Sequence, residues 1–165
     1  MILCGFGALW AIRGLTALGA PAWTWAGPVV LGAGVAAWCL RVARTMPARS
    51  PAERRRVARL VGVWSAAEGA LIVAVDNLLA NTGRAHDVLP ATAVVVGLHF
   101  LPLARGIPQP AYCATGAALL VPGIAGPALA DPYAWALAGF GGALVPWLAS
   151  VGISVPRRLH VAITQ

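Results

Sequence analysis

Arg41-Val42-Ala43-Arg44-Thr45-Met46-Pro47-Ala48-Arg49-Ser50-Pro51-Ala52-Glu53-Arg54-Arg55-Arg56-Val57-Ala58-Arg59 separates two long apolar runs. Seven arginines fall within it, against the single acid Glu53. Upstream, residues 23–43 are apolar and small; downstream, 57–80 are again mostly apolar. Each run reaches the roughly 20 residues that an α-helix needs to cross the hydrocarbon slab. The basic stretch therefore reads as a link between two spans, in contact with anionic lipid headgroups.

Further outward, the same pattern repeats. Runs at 2–19, 88–104, 111–130 and 133–155 complete a set of six spans, joined by breakers such as Ala20-Pro21, Asn81-Thr82-Gly83, Pro108-Gln109-Pro110 and Asp131-Pro132. Links this short make sequential helices antiparallel neighbours. The fold expected is all-α, a transmembrane bundle of six helices forming one domain over residues 1–165.

Composition agrees. Of 165 residues, 59% are hydrophobic and 10% charged, and mean hydropathy is +0.78. Soluble domains run near 45–50% apolar and about 25% charged, so this chain has too little polar surface to coat a globule. A soluble fold, a disordered chain and a disulfide scaffold are excluded. The lipid bilayer is the expected partner.

All twelve basic residues are Arg, giving a formal net charge of +7. They follow the membrane sidedness rule and form no soluble basic face, so no nucleic-acid partner is expected. With six spans, the 41–59 link, Arg105 and Arg157-Arg158 share one side, and Arg84 stands alone on the other. That bias places both termini in the cytoplasm and suggests a bacterial inner membrane. The first span has no basic leader and Arg13 interrupts it, so it reads as a retained helix rather than a cleaved signal. Cys4, Cys39 and Cys113 lack ligand or redox spacing. No metal or cofactor is expected, and no nucleotide or hydrolase fingerprint appears.

Between lipid-facing helices, association depends on close contact of small residues. Candidate packing stripes are Gly62-Ala66-Ala70-Ala74, Ala134-Ala138-Gly142 and Gly32-Ala36. Pro122, Gly123, Gly126 and Pro127 are expected to break the fifth helix into two pieces. Trp23, Trp25 and Trp135 fit an interfacial belt.

Ionisable groups inside spans are costly, about 2.5–3.5 kcal/mol on insertion scales, and face inward toward partners. Four stand out: Arg13, Glu68, Asp76 and His99. At about 1.5 Å per residue from the basic end, Glu68 lies roughly 12 Å up its helix and His99 roughly 9 Å up the next, one layer of the membrane. Arg13 at roughly 16 Å and Asp76 at roughly 24 Å extend the set. Trp64, Asn77 and Phe100 would line the same polar track. His86-Asp87, beside Arg84 in a link, reads as solvated.

The segment Gly97-Leu98-His99-Phe100-Leu101-Pro102-Leu103-Ala104, followed by Tyr112 and Thr115-Gly116, resembles a stretch of small bacterial multi-pass membrane proteins of uncharacterised function. The resemblance implies the fold class and draws attention to His99; it implies no activity.

Three functions remain open. A small proton-coupled transporter or channel-like protein would use Glu68, Asp76 and His99 as proton carriers, with Arg13 as counter-charge and Trp64, Asn77 and Phe100 at the substrate. A membrane-embedded enzyme would use the same acids and base on an isoprenoid or lipid. An accessory or assembly subunit of a membrane complex would use none of them. Six short helices enclose little volume, so a homo-oligomer is expected.

Overall fold

The computed structural model describes residues 2–46, 50–107 and 109–154. Six α-helices follow in order: α1 (Ile2–Ala17), α2 (Ala26–Thr45), α3 (Pro51–Asn81), α4 (Val88–Gly106), α5 (Pro110–Ala125) and α6 (Tyr133–Ser154). Single 3-10 turns precede α2 and α4 and follow α5, and among the described residues there is no strand. The all-α bundle expected from the apolar runs is the fold. Five of the helices are long and apolar enough to cross a membrane.

α1 falls short of that length. Its 16 residues rise about 24 Å, against a hydrocarbon thickness of about 30 Å. It stops because Gly19 takes φ +70, with Gly19 N–H donating to the Thr16 carbonyl and Ala20 N–H to that of Leu15. This is the Schellman ending, which glycine supplies at least cost. Gly83, φ +74, closes α3 in the same way, with Arg84 N–H reaching the Leu79 carbonyl at 2.8 Å.

α3 begins at Pro51, six residues before the span expected at 57. The reason is local. Ser50 Oγ accepts from Glu53 N–H at 3.2 Å, and proline occupies the first helical position. Pro51 therefore starts a helix, since its missing N–H is not needed there. Arg54, Arg55, Arg56 and Arg59 consequently sit on helix, and only Arg49 of the seven lies outside the described residues, as do Arg157 and Arg158.

α6 is the hub, packed against α1, α2, α4 and α5. The contacts with α1 are backbone to backbone: a Cβ on Gly139 would lie 2.6 Å from Gly14 Cα. Ala134, Ala138 and Gly142 all point into the bundle, as their spacing suggested. α4 and α5 approach equally closely, and a Cβ on Gly116 would meet the Gly97 carbonyl at 2.7 Å. One core cluster joins Trp10, Ala11, Leu89, Ala93, Ala138 and Ala143; a second joins Phe100, Leu103 and Leu119.

Two packing expectations fail. α5 runs through Pro122 unbroken to Ala125, then tightens into a 3-10 turn at Gly126–Ala128. Gly123 instead lets α5 approach Val94 and the Pro90 carbonyl of α4. The stripe on α3 also behaves differently from those on α2 and α6. α3 packs principally on α4, and Gly62, Ala66, Ala70 and Ala74 are all exposed. At 100° per residue they cluster on the helix side away from α4. α3 is thus a peripheral helix, held along one face.

Candidate functional site: the seam between α3 and α4

α3 and α4 form an antiparallel hairpin through the link at 82–87, and their contact line has a regular register. Leu60 lies against Gly106, Glu68 against His99, and Asp76 against Thr92. Each step of eight along α3 is met by a step of about seven back along α4, the spacing that keeps one face of each helix on the other. Two of these three rungs are polar.

At the inner polar rung, His99 Nδ1 is 3.6 Å from Glu68 Oε2 and 3.1 Å from the Trp64 carbonyl. A carbonyl oxygen only accepts, so Nδ1 carries a proton and donates it to Trp64. The 3.6 Å separation is an ion-pair distance, somewhat beyond hydrogen-bond range. Both side chains are largely shielded, 7% exposed for His99 and 18% for Glu68. His99 Nε2 is then the ring nitrogen left to receive a proton. The ring is braced edge-on by Phe100, centroids 5.7 Å apart.

At the outer polar rung, Thr92 Oγ1 lies 3.0 Å from Asp76 Oδ1 and 2.8 Å from the Val88 carbonyl. A hydroxyl has one proton for these two acceptors. The rung therefore has two hydrogen-bond arrangements, and a proton on the carboxyl would let Asp76 donate to Thr92 while Thr92 donates to Val88.

The sequence-predicted residues divide accordingly. Glu68 and His99 are brought together. Asp76 stands two turns away on the same seam. Trp64 contributes its backbone carbonyl, while its side chain is exposed on the rim of the seam. Phe100 is 3% exposed and stacks on Tyr112 of α5, so it belongs to the core and offers no wall to a substrate. Asn77 is exposed and turns back to its own helix, Nδ2 donating to the Val73 carbonyl at 2.7 Å. Arg13 is not a counter-charge to either acid: α1 packs on α6 and α2, away from α3, and the arginine is exposed. Because α1 ends at Ala17, Arg13 is only about 6 Å from the helix end, within the reach of its extended stem.

A second cluster sits in the α3–α4 link, where the sequence suggested solvated residues. Asp87 is 4% exposed. Its Oδ2 takes Arg84 Nε at 2.8 Å and the terminal guanidinium nitrogen at 2.7 Å, and its Oδ1 lies 3.3 Å from His86 Nε2. Trp135 of α6 donates its indole N–H to the His86 carbonyl at 2.8 Å, which ties the link to the hub helix. Thr92 and this cluster were the residues missed. For Thr92 the signal was available, since the antiparallel register through Glu68 and His99 places Asp76 opposite it.

Among the described residues no three side chains of metal-binding type come together. Two surface concavities lie elsewhere, one at the α1, α6 and link end, the other an apolar groove between α2 and α6. No protein-family model, curated protein or solved structure matches this chain.

Proposed function

We propose that this multi-pass membrane protein is a small proton-coupled transporter whose proton is held at the α3–α4 seam by Glu68 and His99. The observation that carries the reading is the 3.6 Å approach of an acid and an imidazole on two helices long and apolar enough to cross a membrane. A proton arrives at His99 Nε2, and the ring passes the Nδ1 proton to the Glu68 carboxylate after a closure of a few tenths of an ångström or more. The imidazole is then neutral again, with its proton on Nε2, and Glu68 holds the transferred proton as an uncharged carboxylic acid. α3 rests principally on α4, so a change of charge at this rung acts on the interface that positions the whole helix. The arginines at the α3 start face the unfavourable positive end of the helix dipole, and anionic headgroups on the cytoplasmic side would compensate them. The likeness of residues 97–104 to small bacterial multi-pass proteins belongs to the same proposal.

The enzyme alternative loses Phe100 as a contact for an isoprenoid or lipid, since that ring is enclosed in the core. Reconstitution tests the proposal. Liposomes containing the protein should dissipate an imposed pH gradient faster than protein-free liposomes, and Glu68→Gln and His99→Ala should each reduce that flux at least tenfold. Flux equal to protein-free liposomes, or unchanged in both variants, would reject it.

A further inference from the structure

At the end of the bundle opposite the arginine-rich connection, a cleft of about 350 Å3 is lined by Ala17, Ala85, His86, Asp131, Pro132 and Trp135. Three separate segments of the chain build it: the end of α1, the α3–α4 link and the start of α6. Its walls are mostly alkyl and indole, the usual ground of a small-molecule site, where a few polar groups fix orientation.

Those polar groups share one character. The Asp131 carboxylate is exposed and makes no ion pair or side-chain hydrogen bond among the described residues. His86 Nε2 lies 3.3 Å from Asp87 Oδ1, a buried oxygen with no hydrogen-bond partner among the described residues. That carboxylate favours the neutral tautomer with its proton on Nε2, which leaves Nδ1 as an acceptor. Trp135 N–H is committed to the His86 carbonyl, and the Arg84 charge is paired with Asp87. Arg84 is therefore not available to neutralise Asp131. Ala17 also ends α1 here, presenting the partially negative carbonyl end of a helix. Acceptors, a carboxylate without an ion pair among the described residues and an aromatic ring line the same cleft. Only two side chains of metal-binding type line the cleft, too few to hold a metal ion.

We propose that this cleft binds a small primary ammonium ion carrying an apolar stem. Its N–H groups donate to Asp131 and His86 Nδ1, and its stem lies along Ala17, Ala85, Pro132 and Trp135, where the indole adds a cation–π contribution. The site is independent of Glu68 and His99.

The test uses the full chain in a nonionic detergent, with phenethylammonium chloride as probe and calorimetry or ligand-observed NMR as readout. Saturable binding is expected, weakened at least tenfold in Asp131→Asn and in Ala17→Trp, which fills the cleft without touching the carboxylate. 2-Phenylethanol and tetramethylammonium, which lack the charge or the N–H groups, should each bind at least tenfold more weakly than the probe. Glu68→Gln should bind as the parent does. Non-saturable micelle partitioning, or parental affinity in both cleft variants, would overturn the proposal.

Discussion

Asp87 shows how a single carboxylate organises one end of the molecule. It is shielded from solvent, yet it holds Arg84 and faces His86, and the His86 carbonyl in turn receives Trp135. Replacing it with Ala removes charge-assisted hydrogen bonds worth roughly 1.5–3 kcal/mol. A lowered thermal unfolding midpoint of Asp87→Ala in detergent is the expected result, while Asp131→Asn, whose carboxylate has no partner among the described residues, should leave the midpoint unchanged. Thr92→Val is an isosteric probe of the other rung. It strips Asp76 of its donor and should cost about 1–2 kcal/mol in the same assay. The sequence disclosed Glu68 and His99 because depth along a helix follows directly from counting residues. It hid Asp87 because burial in a link depends on how α6 lies against that link, a tertiary fact with no periodic signature.

At the level of the helices, glycine carries opposite meanings at similar spacing. On α4 and α5, Gly97 and Gly116 bring two backbones into contact, and a Cβ on Gly97 would meet the Gly116 carbonyl at 2.9 Å. On α3, Gly62 has nothing within 4 Å of an added Cβ. Gly97→Val should therefore destabilise the fold by about 1–3 kcal/mol through overpacking, and Gly62→Val should leave the stability of the isolated chain unaltered. If α3 also packs on a second copy, Gly62→Val would lower the mass seen by light scattering while the unfolding midpoint stays put. The periodic pattern could not separate these cases, because a small-residue stripe specifies a close contact but not its partner. The start of α3 was legible in principle: Ser50-Pro51-Ala52-Glu53 is a capping box with proline at the first position. Proline read as a breaker concealed it.

For the whole molecule, the apolar runs and their links determined the six helices, since a chain this poor in charge has few other ways to fold. The arrangement around α6, with α3 at the edge, arises from backbone approaches that hydropathy does not encode. Sidedness can be checked by impermeant maleimide labelling in a Cys113→Ala background. Cysteines placed at Ser50 and at Thr82 should react from opposite faces of the membrane, with Ser50→Cys on the arginine-rich side. Reaction of both from one face would refute a membrane crossing by α3.

The proton at the seam is most directly seen in the imidazole itself. The chain has three histidines, so 15N-histidine NMR of the reconstituted protein resolves His99 by its loss in His99→Gln. An Nδ1-protonated neutral ring is expected at alkaline pH, becoming imidazolium on acidification at a pH altered by Glu68→Gln. A ring fixed in one state across about pH 5 to 8, indifferent to Glu68→Gln, would contradict that expectation.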